Sequence, residues 1–368
     1  MDMIMIHSEA RNACNTVMLT PIHVPTPNHT NTHLTLLHQI IILHSFFIFL
    51  YNGLKKVKNT PTYTRVRACV RVMGASLSNL GSNGSTIAPS LGDIPENCVA
   101  RVFLHLTPPE ICNLARLNRA FRGAASADSV WESKLPSNYQ HLLRLMPEEQ
   151  RCRNLSKKDI FAVFSKPLPF DDGNKQLWLD RVTGRVCMSI SAKGLSITGI
   201  DDRRYWTWVP TEESRFNIVA YLQQIWWFEV DGEVDFPFPA DNYTLSFRLH
   251  LGRFSKRLGR RVCNYDQTHG WDIKPVIFRL STSDGQEASS ECCLDETVHD
   301  DTYGNHKRGY WVDYKVGEFI VTGSEPTTKV RFSMKQIDCT HSKGGLCVDS
   351  VFIIPSELRD RKGGGFLK

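Results

Sequence analysis

The sequence predicts an α+β protein with more than one domain, in which three short helices precede a mainly antiparallel β-sandwich. Hydrophobic residues recur at helical spacing between residues 93 and 121, whereas further along the chain they alternate with polar residues, as in half-buried strands. The composition, 41% hydrophobic and 22% charged over 368 residues, is ordinary for globular domains. Wholesale disorder, collagen and multi-span membrane proteins are therefore excluded.

The formal charge of +6 does not indicate a nucleic-acid partner. Residues 1–72 contain seven basic and two acidic residues, a net charge of +5, while residues 73–368 contain 37 and 36, a net charge of +1. A neutral body lacks the basic surface with which proteins neutralise phosphates. A local basic run between residues 253 and 261 is interpreted as a solvated loop.

The eleven cysteines are scattered and contain no pair at CxxC spacing. They predict neither a disulfide framework nor a zinc site. We expect reduced thiols, a cytoplasmic or nuclear location, no metal and no cofactor.

The first 72 residues form an atypical leader, because no acidic residue occurs between Arg11 and Gly92. Residues 34–51 have the length of a minimal membrane span but contain three polar residues, so no stable membrane insertion is expected. We interpret the leader as an over-extension of the gene model, with translation beginning at Met73. The alternative is that the leader is a membrane anchor. With a start at Met73, Gly74 would be a candidate myristoylation site, at the head of a flexible arm over residues 73–87.

Helix signals begin at Asp93 and define a unit over residues 88–136. A first helix has an apolar stripe, Thr107 and Glu110 form a capping box for a second, and Asn118 can cap a third. So small a unit buries little apolar surface, which favours an apolar face that binds a partner.

These residues resemble an F-box. The resemblance rests on the run from Leu91 to Val99, on residues 102–106 and on Trp131 near the end of the unit. It implies binding to a Skp-family adaptor and a cullin scaffold in an SCF ubiquitin ligase. The motif positions expected to bind the adaptor are Leu91, Ile94, Pro95, Val99, Val102, Phe103, Leu106, Leu114, Leu117 and Trp131. The alternative is an ordinary helical subdomain that uses the same stripe as its core.

A helical connector is predicted over residues 137–175, with Ser156 as a cap, and strands follow it over residues 176–354. Alternation is clearest from Tyr243 to Leu251 and from Val330 to Met334. Residues 219–224 are ambiguous between helix and strand, residues 281–308 are interpreted as a long loop, and residues 355–368 as a polar tail.

The second half of the chain resembles the phloem protein 2 lectin domain, also described as Nictaba-like. The resemblance covers roughly residues 176–354 and rests on motifs that begin at Trp178, Gly194, Trp226, Trp311 and Lys343. It implies a lectin-like β-sandwich in a plant F-box protein of the phloem protein 2 type. By motif position, the carbohydrate-binding residues would be Trp206, Glu318 and Glu325.

A second tryptophan of the lectin site is replaced by Gly199. Loss of one stacking face would cost on the order of 1 kcal/mol, so we expect weak or narrowed sugar binding. The sequence contains no Walker A, HExxH, Gly-x-Ser-x-Gly or GxGxxG motif, and we expect a non-catalytic protein.

The favoured function is a substrate receptor that recruits a target, possibly a glycoprotein, for ubiquitin-dependent degradation. The first alternative is a lectin that acts independently of a ubiquitin ligase. The second is a glycosidase with Glu318 and Glu325 as its carboxyl pair.

Overall fold

The computed structural model describes residues 94–146, 154–257, 260–295, 308–323 and 326–361. All of these except Ile94 belong to one compact unit that begins at Pro95. The leader, Gly74, Leu91 and Glu325 lie outside the described residues. The structure therefore does not test the predictions that concern them. Within the described ranges, no helix is both long enough and apolar enough to cross a membrane.

Seven α-helices are described. Their bounds are α1 Glu96–Phe103, α2 Pro108–Leu114, α3 Arg119–Ala124, α4 Asp128–Glu132, α5 Tyr139–Leu145, α6 Lys157–Phe164 and α7 Ser356–Arg361. The predicted unit thus contains four short helices rather than three, because the segment around Trp131 forms a helical turn of its own. The first residues of the predicted polar tail form helix α7, and Leu358 of this helix is buried.

Three of the described helices begin where the sequence supplies side-chain acceptors for free backbone amides. The Thr107 amide donates to the Glu110 carboxylate at 2.8 Å, and the Phe121 amide donates to the Asn118 side chain at 2.9 Å. Helix α6 begins in the same way, since the Asp159 amide donates to the Ser156 hydroxyl at 3.2 Å. These three predicted caps are confirmed.

Fifteen strands are described. Their bounds are β1 Leu168–Phe170, β2 Lys175–Leu179, β3 Val186–Ser191, β4 Ser196–Ile197, β5 Trp206–Pro210, β6 Ile218–Leu222, β7 Phe228–Phe236, β8 Asp241–Leu251, β9 Arg253–Arg257, β10 Arg260–Asn264, β11 Val276–Thr282, β12 Glu287–Cys292, β13 Trp311–Val321, β14 Thr328–Gln336 and β15 Leu346–Pro355. The strands begin within the predicted connector, at Leu168.

All described strand pairs are antiparallel, and they form two large sheets and one hairpin. In the eight-stranded sheet, β15 pairs with β8 along one side and with β3 and β6 along the other, and β13 pairs with β8. The five-stranded sheet has the order β12, β11, β14, β7, β4. Strands β9 and β10 form the hairpin, so the basic run predicted as a loop is two paired strands.

Buried aromatic rings connect the two large sheets. Phe247 of the eight-stranded sheet lies 5.9 Å from both Phe278 and Phe332 of the five-stranded sheet, measured between ring centroids. All three side chains are at most 3% exposed. Edge-to-face and tilted contacts of this kind add to the hydrophobic stabilisation from burying the rings.

The helical unit contacts the β-domain through the connector. Trp131 of α4 packs on Phe161 of α6 with 5.3 Å between ring centroids. After α4, the Asn138 side chain donates to the backbone carbonyl of Pro237 at 2.7 Å, and His141 contacts Phe236 edge-on at 5.7 Å. The described parts of the connector therefore pack against both the helical unit and the β-domain.

Candidate functional site

The apolar stripe of the helical unit fills the unit's own core. Phe103 and Phe121 meet edge-to-face at 5.9 Å, and the Trp131 indole donates to the Ala125 carbonyl at 2.8 Å. Of the predicted adaptor-binding residues, those buried in the chain itself are Val99, Val102, Phe103, Leu106, Leu114 and Trp131. Their side chains are not accessible to a partner in this structure, and helical spacing in the sequence does not distinguish a core stripe from a docking stripe.

Other apolar side chains of the same helices remain accessible. Leu117, directly after α2, is 57% exposed, and Leu104, directly after α1, is 39% exposed. Pro95 is exposed and Ile94 half-buried at the start of α1. Leu104 was missed by the sequence analysis, although its position off the buried stripe is a signal that it faces outward. Leu104, Leu117 and Pro95 are thus apolar residues that the filled core of the helical unit leaves accessible.

Trp206, the predicted sugar-stacking residue, is a core residue. It is 2% exposed, its indole N–H donates to the Thr198 carbonyl at 3.0 Å, and its ring stacks on Phe228 with 6.4 Å between centroids. A sugar ring cannot reach either face of the indole in this structure. The prediction that Trp206 offers a stacking face is therefore wrong.

Glu318 lies far from Trp206 in the same sheet. Trp206 pairs with Leu222 of β6, which pairs with Leu346 of β15. Glu318 pairs with Thr244 of β8, which pairs with Ile354 of β15. Eight residues of strand correspond to about 26 Å along the sheet. The structure therefore does not bring these two predicted site residues together.

The surroundings of Glu318 do not suit acid catalysis. The Lys315 ammonium donates to its carboxylate at 2.5 Å and holds the pKa of Glu318 below its usual range, with a further hydrogen bond from Asn242. A glycosidase general acid needs a raised pKa. In a glycosidase pair Glu318 would therefore be the ionised carboxylate rather than the general acid.

Gly199 occupies a turn that no bulky residue would fit without strain. Its φ is +75°, and a Cβ atom there would lie 3.2 Å from the Tyr205 ring. A non-glycine residue in this left-handed conformation costs about 1–2 kcal/mol. A tryptophan introduced at position 199 would strain this turn, so substitution alone does not restore the family's second stacking face.

A wide groove of about 960 Å³ lies across the outer face of the five-stranded sheet. One row of paired residues crosses all five strands at its centre, in the order Ser289, Arg279, Ser333, Asp231 and Ser196. These residues share a face because side chains alternate along each strand. The sequence analysis missed this groove, since cross-strand register cannot be read from a single sequence.

Two adjacent tryptophans are exposed directly before β7. Trp226 is 51% and Trp227 46% exposed. The Trp227 indole donates to the Glu229 carboxylate at 3.0 Å, which places Trp227 on the outer face of the sheet with Glu229 and Asp231. The sequence analysis missed both residues as surface residues, because an apolar run that contains Trp226 and Trp227 suggests a core strand.

Lys343 fixes the backbone at this tryptophan pair. Its ammonium is fully buried and donates to the carbonyls of Trp226 at 2.6 Å, Asp338 at 2.5 Å and His341 at 3.4 Å. Burial lowers the pKa of Lys343, while the three carbonyl acceptors occupy its three protons. A cationic side chain thus ties the loop before β15 to the chain before β7.

Lys343→Met is expected to lower the free energy of unfolding by about 1–3 kcal/mol, because it leaves buried carbonyls without donors. Urea unfolding of the full chain measures this loss. Lys315→Met is the matched control, since Lys315 forms an exposed pair that contributes about 1 kcal/mol at most. Equal midpoints for Lys343→Met and wild type would contradict a structural role for the buried ammonium.

Within the described part of the chain, no group of three His, Cys, Asp or Glu side chains is arranged to hold a metal ion. The acidic and histidine residues of the predicted 281–308 loop that lie outside that part are Glu296, His299, Asp300, Asp301 and His306. The loop itself contains strand β12, which pairs with β11 from Glu287 to Cys292, so the prediction of a continuous loop was wrong.

Comparison with known families matches both parts of the chain. A family model described as F-box domain matches residues 91–133, and one described as phloem protein 2 matches residues 185–355. F-box protein PP2-A15 of Arabidopsis thaliana is 70% identical over 299 residues, which cover 80% of this chain and 99% of that protein. F-box protein PP2-A13 of the same plant is 57% identical over 267 residues, covering 73% and 89%.

Solved structures give a much weaker match. TmCBM61 in complex with β-1,4-galactotriose is 18% identical with a TM-score of 0.23, covering 44% of this chain and 87% of that one.

Proposed function

Because the chain belongs to the family of F-box proteins that carry a phloem protein 2 domain, we propose that it is a substrate receptor of an SCF-type ubiquitin ligase. In this proposal the helical unit binds a Skp-family adaptor and, through it, a cullin scaffold. The phloem protein 2 domain recruits the target, a glycoprotein. The ligase chemistry resides in other subunits, and this chain supplies specificity.

The observation that supports adaptor binding most strongly is the exposure of two leucines on the helical unit. Leu117 and Leu104 are exposed although neighbouring apolar residues fill the core. Exposed apolar patches on small helical units are typical of protein-binding surfaces. Burying them against a partner would stabilise a complex, whereas the charged residues around them would form its rim.

We propose that the two large sheets are the two layers of a lectin-like β-sandwich. The contacts of Phe247 with Phe278 and Phe332 support this arrangement, since they join one sheet to the other. The eight cysteines of the described residues are free thiols, which supports a reducing compartment such as the cytoplasm or nucleus.

The proposal is tested by co-elution of the purified full chain with a purified Skp-family adaptor in size-exclusion chromatography. We expect a stable complex with one adaptor per chain. Separate elution of two folded proteins at micromolar concentration would contradict the receptor function and favour a lectin that acts alone.

A further inference from the structure

We infer that Cys263 is a redox-modification site, a nucleophilic thiol that reacts with a hydroperoxide and uses His250 as its base. This inference goes beyond the proposed function and does not depend on it. It rests on the contacts of the two side chains, which the fold brings together although they are thirteen residues apart in the chain.

The fold places the Cys263 thiol against the His250 imidazole. Cys263 lies on β10, the second strand of the β9–β10 hairpin, and His250 lies near the end of β8. The Cys263 Sγ is 3.9 Å from the His250 Nε2, within the reach of a hydrogen bond to sulfur. A thiol in contact with an imidazole is the pair of groups that a nucleophilic cysteine needs.

The other ring nitrogen of His250 determines where the imidazole proton lies. His250 Nδ1 is 3.1 Å from the carbonyl oxygen of Gly252, and a carbonyl oxygen can only accept. Nδ1 therefore carries the proton of the neutral imidazole, and Nε2 presents its lone pair to the Cys263 thiol. The Gly252 carbonyl thus acts as the third group that orients a base towards its nucleophile.

Burial holds the imidazole in this position. His250 is 1% exposed, and its ring contacts the Trp311 ring with 5.1 Å between centroids. Cys263 is only half-buried. A small oxidant can therefore reach the sulfur while the base stays away from bulk water.

A positive charge borders the same site. Cys263 packs against a core cluster that contains Tyr221 and Cys347, and the Arg253 guanidinium lies 5.4 Å from the centroid of the Tyr221 ring. Arg253 also pairs with Asn264, the residue after Cys263. A neighbouring cation favours the negative charge that develops on a cysteine sulfur as it attacks.

The proposed step with hydrogen peroxide is a two-electron oxidation of the thiol. The Cys263 sulfur attacks one peroxide oxygen, so that an S–O bond forms while the O–O bond breaks. The thiol proton passes through His250 Nε2 to the departing oxygen, which leaves as water. Cys263 becomes a sulfenic acid, the peroxide is reduced, and the imidazole returns to its neutral form.

The test treats the full chain with hydrogen peroxide in the presence of dimedone, which traps sulfenic acids, and follows the labelled peptides by mass spectrometry. Cys339 is the control within the same chain, because it is more exposed than Cys263 and its thiol donates to the Ile337 carbonyl instead of contacting a base. We expect Cys263 to be labelled about tenfold faster than Cys339, or more, because its proton is removed by a positioned imidazole.

His250→Asn tests the role of the base. The asparagine amide can still donate to the Gly252 carbonyl from the position of Nδ1, whereas the acceptor that faces the Cys263 sulfur is removed. We expect labelling of Cys263 to fall to the rate of Cys339, while the rate of Cys339 itself stays unchanged. Circular dichroism and urea unfolding establish that the variant is folded.

Labelling of wild-type Cys263 at or below the rate of Cys339 would overturn the inference, because a thiol that merely packs against a histidine gains no reactivity. This comparison needs no variant, so it decides the question even if His250→Asn does not fold. A folded His250→Asn chain that labels Cys263 at the wild-type rate would also overturn it, since His250 would then not be the base.

Discussion

Leu117→Asp is expected to weaken binding of a Skp-family adaptor by about 2 kcal/mol or more, roughly 30-fold in dissociation constant. Leu117 is 57% exposed in the free chain, so the variant should fold. In the complex, the new carboxylate would be buried against apolar groups without a partner, which is strongly unfavourable. Surface plasmon resonance with immobilised adaptor measures the change.

Val182→Asp is the matched control, because Val182 is a 45% exposed aliphatic residue in the β-domain. Its adaptor affinity should equal that of the wild type. Leu106→Asp cannot serve in this experiment, since Leu106 is 4% exposed and a charge there would disrupt the helical core. Wild-type affinity of Leu117→Asp would show that this helical surface does not bind the adaptor.

Trp206→Ala is expected to lower the free energy of unfolding by about 3–5 kcal/mol, the usual cost of removing a large buried aromatic side chain. The substitution leaves a cavity beside Phe228 and removes the donor to the Thr198 carbonyl. Urea unfolding followed by circular dichroism measures the loss. Trp226→Ala, which removes a 51% exposed ring, should change stability by less than about 1 kcal/mol.

The same pair of variants distinguishes a core role for Trp206 from a sugar-binding role. If Trp206→Ala kept wild-type stability and lost oligosaccharide binding, the ring would have to be accessible in solution. That outcome would restore the family-based site and contradict the burial observed here.

Local signals in the sequence predicted local features of the fold well. Thr107, Asn118 and Ser156 were identified as caps because capping depends on residues within one helical turn. The strand from Tyr243 to Leu251 was identified by its alternation, but the prediction that it is half-buried was wrong, because its polar face is buried as well. Strand β12 was missed, because its side chains are largely polar and its pairing with β11 is a property of the sheet rather than of the segment.

The candidate sites depended on tertiary structure and were predicted less well. Leu106 and Leu117 look equally apolar in the sequence, yet only the packing of the helices makes the first a core residue and the second a surface residue. Trp206 and Trp227 differ in the same way. Family resemblance identified the domains but did not indicate which tryptophan is exposed, because exposure depends on the surrounding turns and strands.

The most direct test of the account is whether the chain binds its two partners at once. A chitooligosaccharide is immobilised on a resin, and adaptor is applied with and without the full chain. We expect the adaptor to be retained only when the wild-type chain is present, and to be lost with Leu117→Asp. Retention of the chain while the adaptor passes through the resin would contradict the claim that this protein joins an adaptor to a glycan-bearing target.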